Sequence, residues 1–523
     1  MPTLNWIGKD KVINHHLDVP VRTLKKSYSF SRDDDDSNMI IHGDNLEALK
    51  ALLPLYEGRV RCIYIDPPYN TGNEGWVYND NVNDPKIQRW LGKIVGAEGE
   101  DLSRHDKWLC MIYPRLRLLQ KLLSPDGSIF ISIDENEYAT LKLVCDEIFG
   151  SQHHIATFVW QKRYSRENRE AIGDAHEYIL LYASDNDQFK AKRHLVPMSE
   201  EQAKVYKNPN NDPKGRWRGV PMTAQGYRPN QMYPIVDPKG NTHYPPEGRC
   251  WSTLESEYKK MLDAGRVYFG KNNDSQPSII RYLSEVEGVV PWTWLPSEDV
   301  GHTDSAKKEI YTILGKQNAF DTPKPVKLIE FILQIASDPD SIILDSFAGS
   351  GTTAHAVLNL NKADGGHRKF IMVEMGDYAD SITAERIRRV IKGYGEGNNA
   401  VEGTGGSFSF YELGEPIFLP DGLLNPNAPV EDIRSYVFFS ETRKTSSDTY
   451  ADDPYYLGLH ESTAYYFCYE HNQETVLSDS LLRKLHHRGE QYVIFADACA
   501  LSVDELKRWN ITFKKIPRDI VRF

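Results

Sequence analysis

No apolar run in this 523-residue sequence approaches the roughly 18 residues that a membrane-spanning helix requires. The opening stretch, MPTLNWIGKDKV, lacks the basic-then-apolar form of a secretory signal, so a cytoplasmic location with no membrane partner is expected. Cysteine is scarce. Cys62, Cys110, Cys145, Cys250, Cys468 and Cys499 form no CxxC pair and no His–Cys cluster, which argues against structural zinc and a disulfide framework. The 16 histidines include no HExxH, and no metal site is expected. Neither a GxGxxG fingerprint nor a GK[ST] phosphate loop is present. An excess of positive charge is missing too, since the formal net charge is −12. Local sign decides where a polyanion docks, however. Residues 161–230 carry 13 Lys/Arg against 9 Asp/Glu, while residues 411–470 carry 3 against 11. The acidity is gathered towards the C-terminus, and the middle is mildly basic.

What is present reads as several domains. A chain of this length exceeds one compact core, and 40% hydrophobic with 26% charged residues is ordinary for a soluble globular protein. Residues 1–38 are polar, end in an acidic run and read as an irregular N-terminal extension. From residue 39 strands alternate with helices: MIIH, then LEALKALLP stopped by Pro54, then VRCIYI. WLCMIYPRLRLLQKLLSPDG follows as an amphipathic helix broken near Pro114, and SIFISI as a strand. This alternation indicates a mostly parallel α/β sheet. It stops between about 185 and 300, where Pro, Gly, Asn, Trp and Tyr accumulate, and returns afterwards. The expected organisation is a catalytic domain from 39–184 and 301–395, an inserted domain at 185–300, and a small α+β domain at 396–523. Strands in the last are expected at SYVFFS, YYFCYE, QYVIFA and ITFKKIP, after a glycine-rich linker at 393–406.

Three stretches carry chemistry. In SIILDSFAGSGTTAHA (341–356) a β-rich strand ends at Asp345, and Gly349 and Gly351 bracket a turn that opens a helix. Such a turn lets backbone N–H groups and a helix N-terminus approach a ligand, because glycine has no Cβ in the way. The next strand, KFIMVEM, ends on Glu374, 23 residues past Gly351, where an acid suits ribose hydroxyls. With two threonines instead of a third glycine, a compact nucleoside ligand fits better than a pyrophosphate. Asp345, Phe347, Ala348, Gly349, Ser350, Gly351, Thr352 and Glu374 are the candidate cofactor cradle. In IIHGDNLEAL a strand runs into Asp44 and Asn45, whose ordinary reading is a helix N-cap. Beside the other two strands, Asp44 would be placed to accept from an adenine amino group, and both residues join the cofactor candidates.

The third stretch is CIYIDPPYNTG (62–72), in which a buried strand stops on Asp66, Pro67, Pro68 and Tyr69. A carboxylate and the Pro67 carbonyl can together accept from one amino group, and the Tyr69 ring offers a face for a planar base. Asn70 either shapes the turn or touches the base.

DPPY after a strand, followed at a distance by FAGSG, resembles the amino-group DNA methyltransferases that use S-adenosylmethionine. The order of the two, with a long irregular segment between them, is that of the β-type circular arrangement. TPKPVKLIEFIL (322–333) resembles the family's KP helix, which implies that Lys324 and Pro325 lie against the methionine part of the cofactor. GDNLEALKAL, FVWQKR with HEYILLYAS, and the C-terminal FKKIP extend the resemblance to the modification (Mod) subunits of type III restriction–modification systems. The chain is shorter than typical Mod subunits, so a solitary methyltransferase is the alternative within that class.

The resemblance implies a Rossmann-like methyltransferase sheet with a permuted order, a target-recognition domain at 185–300, and methyl transfer to adenine N6 after base flipping in double-stranded DNA. Aspartate at the head of DPPY favours adenine, because cytosine-N4 members mostly carry serine there. Lys214, Arg216, Arg218 and Arg228 are candidates for DNA contact, and Trp217 and Tyr227 for stacking. The acidic C-terminal domain suits a homodimer contact or a restriction (Res) subunit. The competing class is a recognition subunit whose methyltransferase site is inactive.

Overall fold

The computed structural model describes residues 3–31, 38–71, 93, 104–165, 171–198, 200–315, 319–397, 400–444 and 453–522. Its contacts divide into two units, Met1–His194 with Trp292–Phe523, and Leu195–Pro291.

The first unit is built on one ten-stranded sheet. Its strands are β1 (Arg22–Phe30), β2 (Met39–His42), β3 (Val60–Ile65), β4 (Leu123–Ile133), β5 (His154–Gln161), β6 (His176–Ala183), β7 (Trp294–Leu295), β8 (Ile342–Asp345), β9 (Lys369–Glu374) and β10 (Phe408–Pro416). They lie in the order β1-β10-β2-β9-β8-β3-β4-β6-β5-β7. Every pair from β10 across to β4 is parallel. β4–β6, β6–β5 and β1–β10 are antiparallel. All six residues of β3 are buried, as expected of a parallel strand covered on both faces. The chain leaves β3 towards β4 on one side and leaves β8 towards β9 on the other. The strand order therefore reverses between β3 and β8, and the crevice outside their carboxyl ends is where an open α/β sheet binds ligands.

The helices that flank the site are α1 (Asn45–Tyr56), α2 (Arg104–Leu122), α3 (Val326–Ala336), α4 (Thr352–Asp364) and α5 (Glu385–Lys392). Pro54 lies inside α1 and Pro114 inside α2, where the sequence suggests a stop and a break. Each proline gives up one backbone bond, but both helices bury long apolar faces, with Leu49, Leu52, Ile112, Leu116 and Leu119 fully enclosed. Packing decides the outcome.

Residues near the termini also differ from the sequence reading. β1 turns part of the polar N-terminal stretch into an edge strand of the main sheet, and β10 joins the C-terminal region to the same sheet beside β2. SYVFFS lies in a helix, α6 (Val430–Thr442), with Pro429 at its N-cap and Glu431 and Asp432 in its first turn. The acids favour the helix N-terminus, and Ile433, Tyr436, Val437 and Phe439 share its buried face. Beyond it, β11 (Tyr456–His460), β12 (Thr463–Phe467), β13 (Gln491–Ala496) and β14 (Ile511–Lys515) form a four-stranded sheet in that order. Among the described residues no helix is long and apolar enough to cross a membrane.

The second unit holds small antiparallel sheets. Trp217–Pro221 and Val267–Tyr268 flank Ser278–Tyr282, and Thr223–Gln225 pairs with Arg249–Trp251. Met222, Ile235, Trp251, Tyr258 and Phe269 make its apolar centre. Its limits, Leu195 and Pro291, fall ten and nine residues inside the expected 185–300.

Candidate active site

β3 ends on Asp66, and the turn after it is held from several directions. Trp108 on α2 donates its indole N–H to the Pro68 carbonyl at 2.6 Å. Asn70 sits at φ +59°, a left-handed conformation that asparagine tolerates better than most residues. Its side-chain amide donates to the fully buried Glu137 and, at 3.2 Å, to the Arg104 carbonyl. Glu137 also accepts from His105 at 2.7 Å and from Thr140. Asn70 thus shapes the turn. The Pro67 carbonyl accepts no hydrogen bond among the described residues.

The reactive end of the turn is a charged cluster. The Tyr69 hydroxyl lies 2.7 Å from Asp66 Oδ1 and 3.0 Å from Glu177 Oε2, and its one proton is shared between these carboxylates. Lys324 Nζ donates to both oxygens of Asp66, at 2.8 and 2.7 Å, and lies 3.5 Å from Glu177 Oε2. The same ammonium stands 4.9 Å from the centre of the Tyr69 ring. On the other side of Glu177, Lys162 reaches Oε1 at 3.5 Å and Asp174 at 2.6 Å. Burial pushes the Asp66 carboxyl above the usual carboxylate range, and the Lys324 ammonium pulls against that shift. Burial beside two carboxylates holds the Tyr69 phenol well above its ordinary value, so it remains a donor.

The glycine turn faces this cluster across the switch point. Asp345 closes β8 by accepting from the Phe347 N–H at 3.0 Å and from the Thr353 hydroxyl at 2.6 Å. It is enclosed, and burial lifts its carboxyl to about 7. Gly349 (φ +52°) donates its N–H to Glu374 Oε2 at 2.7 Å. Glu374 Oε1 accepts from the Gly376 N–H and the Tyr378 hydroxyl, each at 2.8 Å. The Met375 N–H also bonds this carboxylate, so Glu374 clamps the turn through four hydrogen bonds. Ala348 N–H donates to the Val373 carbonyl at 3.0 Å, which ties the turn to β9. At Gly351 (φ +80°) a Cβ would meet the Thr383 carbonyl oxygen at 3.2 Å. Behind the turn the buried Arg386 donates to the Ser350 and Thr352 hydroxyls, both at 2.8 Å. Thr352 in turn donates to the Lys324 carbonyl at 3.2 Å. Pro325 caps α3, which leaves the Lys324 side chain directed into the site from a fixed backbone.

Asp44 serves as the N-cap of α1, with Oδ1 accepting from Leu46 and Glu47 N–H, and its other oxygen lies 3.4 Å from Arg115. Asn45 donates to the Ser346 carbonyl at 3.2 Å and joins the start of α1 to the residues that lead into the glycine turn. Asp66, Pro67, Tyr69, Lys324, Gly349 and Glu374 line one cleft of about 670 Å³, within the range of small-molecule sites. The Ser346 hydroxyl, also in its wall, is buried without a hydrogen-bond partner among the described residues. Glu177, Trp108 and Glu137 are the residues sequence reasoning missed. HEYILLYA carried a signal for Glu177, an acid at the second position of an otherwise apolar strand.

In the second unit, Trp217 is corrected as a stacking candidate. It is 3% exposed, its indole N–H donates to Asn210 at 2.8 Å, and its ring packs edge-on against Tyr268. Tyr227 is 73% exposed. Arg216 lies 3.6 Å from Glu200, Lys214 over the Tyr282 ring, Arg218 over the Tyr206 ring, and Arg228 donates to Gln231 at 3.1 Å. All four cations are exposed.

Comparison with known proteins places this geometry. The DNA methylase family model N6_N4_Mtase matches residues 60–385. The chain is 37% identical over 448 residues to the type III restriction-modification enzyme StyLTI Mod subunit of Salmonella typhimurium, covering 79% of this chain and 66% of that protein. It is 32% identical over 445 residues to the EcoP15I Mod subunit of Escherichia coli, covering 75% and 66%. To the type II methyltransferase M.KpnI of Klebsiella pneumoniae it is 30% identical over 381 residues, covering 67% and 85%. The chain thus spans 66% of the length of the two Mod subunits. Since the matched segment contains both the Asp-Pro-Pro-Tyr turn and the glycine turn that share the cleft, the chain belongs to the DNA methylase family.

Proposed function

We propose that this protein transfers a methyl group from S-adenosylmethionine to adenine N6 in double-stranded DNA, as a modification enzyme of the type III kind with a restriction subunit as partner. The observation that carries this reading is that Asp66 and Pro67 line the same switch-point crevice as the glycine turn. The names of the Mod relatives support the restriction–modification setting, and aspartate at position 66 favours adenine.

The residues present suit the cofactor. The Ser346 hydroxyl lacks a partner among the described residues, and Glu374 lines the same cleft, where a ribose hydroxyl can take the place of one of its present donors. Asn45, Phe347, Gly349 and Glu374 would hold the nucleoside and Pro325 would back the methionine end. Bound there, S-adenosylmethionine supplies an electrophilic methyl group on a positively charged sulfur.

The protein's part is to make a poor nucleophile competent. The adenine amino lone pair is delocalised into the ring. Acceptance of its two N–H bonds by Asp66 and the Pro67 carbonyl favours a pyramidal nitrogen with the lone pair turned towards the methyl. Fixed acceptors also stabilise the positive charge that develops on nitrogen, without reorganisation during the step. The surplus proton leaves after transfer, so Asp66 acts as an acceptor of hydrogen bonds and need not be a strong base. The amino group is inaccessible in a duplex, so the base is extruded and stacks on Tyr69. Unmethylated plasmid DNA incubated with methyl-tritiated cofactor tests the reading: wild type incorporates label and Asp66→Ala does not. Equal incorporation by the two proteins would remove Asp66 from the mechanism.

A further inference from the structure

Both walls of the proposed base pocket are already occupied by the protein itself. Lys324 Nζ donates to each oxygen of Asp66 and also stands 4.9 Å from the Tyr69 ring centre, on the surfaces assigned to the amino group and the base. The ammonium covers the Tyr69 ring face on which a base would stack, and Asp66 already accepts from Lys324 and Tyr69, so base entry on that face requires Lys324 to move. A cation in so enclosed a place, with Lys324 9% exposed, cannot move away from one carboxylate without another to receive it. Glu177 is that receiver. Its Oε2 is already 3.5 Å from Nζ, beyond a good charge-assisted hydrogen bond and less than 1 Å short of one. Glu177 is 8% exposed and comes from β6, an element that carries neither the DPPY turn nor the glycine turn.

The main chain around Lys324 is fixed, so any shift of the ammonium is made by the side chain alone. Pro323 and Pro325 bracket the residue, Pro325 caps α3, and the Lys324 carbonyl accepts from Thr352 at 3.2 Å. A four-carbon stem can carry the ammonium over the short distance from Asp66 to Glu177 with that carbonyl unmoved.

Resting on the methyltransferase reading, we propose that Lys324 is a displaceable stand-in for the target amino group, and that Glu177 is the positioning residue that receives its ammonium when the base enters. Before the base arrives the ammonium neutralises Asp66 and covers the Tyr69 ring. As the amino group takes its place on Asp66, the ammonium shifts to Glu177 and the site keeps its charge balance. The arrangement requires no conformational change of the backbone and makes base entry an exchange of one set of N–H donors for another.

The test is a double-mutant cycle read by methyl transfer to unmethylated plasmid DNA, with kcat and KM for DNA separated. Glu177→Gln keeps an oxygen for Tyr69 but offers Lys324 no charge. It should raise KM for DNA so that kcat/KM falls about tenfold, the effect of one charged contact. In the Glu177→Gln background, Lys324→Met removes the stranded ammonium and should restore most of that loss. Multiplicative losses in the double variant would overturn the proposal, because two independent structural roles would give that result. A second readout does not use turnover: acylation of Lys324 by acetic anhydride, followed by peptide mass spectrometry. It should be slow in the wild type and several-fold faster in Asp66→Asn, and equal rates would also overturn the proposal. Wild type that labels as expected yet methylates no DNA would sink the methyltransferase reading, and would place the ammonium on Asp66 for some other reason.

Discussion

Asn70→Ala separates a residue that builds the turn from one that touches the base. Two terms set its magnitude. Alanine at φ +59° carries the left-handed penalty, about 1 kcal/mol. The variant also removes a donor to the fully buried Glu137, worth about 1.5–3 kcal/mol for a hydrogen bond to a charged group. His105 and Thr140 remain on Glu137, so the low end of that range applies and the sum is about 2.5 kcal/mol. Asn70→Gly restores backbone freedom without the amide, and should be about 1 kcal/mol more stable than Asn70→Ala. Urea denaturation measures both variants, and methyl incorporation measures the consequence for the Asp66–Tyr69 turn. A variant within about 0.5 kcal/mol of wild type that has nonetheless lost transfer would refute the reasoning and assign the Asn70 side chain to the ligand.

Gly351→Ala should weaken S-adenosylmethionine binding about tenfold by calorimetry, since an added Cβ meets the Thr383 carbonyl at 3.2 Å in a left-handed backbone worth about 1–2 kcal/mol of strain. Unchanged affinity would show that the turn yields without cost. The Asp345 carboxyl stands at about 7 in the folded protein against 3.8 unfolded. Between those pH values the folded state keeps a proton that the unfolded chain has released, so stability falls as pH rises through the window. The fall is at most about 4 kcal/mol. Asp345→Asn removes that slope, and parallel stability–pH profiles for the two proteins would contradict the assignment.

The elements that build the crevice were legible because each is a short apolar run closed by punctuation: MIIH by Gly-Asp, CIYI by Asp-Pro-Pro, IILD by the glycine turn. Strand type followed from the unbroken burial of β3, which leaves no alternation to mislead. Where aromatic and β-branched residues run together the sequence is ambiguous. SYVFFS has strand composition, and the acids of the first turn at Glu431 and Asp432 are the signal for α6 that the composition hides. β1 was hidden for the opposite reason, since RTLKKSYSF is mostly polar and becomes a strand through pairing with β10, almost 400 residues away in the chain. The site divides in the same way. Asp66, Tyr69 and the glycine turn announce themselves locally. The partners that set their electrostatics lie 108 and 258 residues from the turn, at Glu177 for Tyr69 and Lys324 for Asp66, and spacing alone does not bring them together.

If the Asp66 carboxylate and the Pro67 carbonyl present an exocyclic adenine amino group for methylation, the modified base records it. Nucleoside mass spectrometry of plasmid DNA digested after incubation with the protein and S-adenosylmethionine addresses it most directly. N6-methyladenine is expected with the wild type and none with Asp66→Ala. N4-methylcytosine in its place, or N6-methyladenine undiminished in Asp66→Ala, would contradict it.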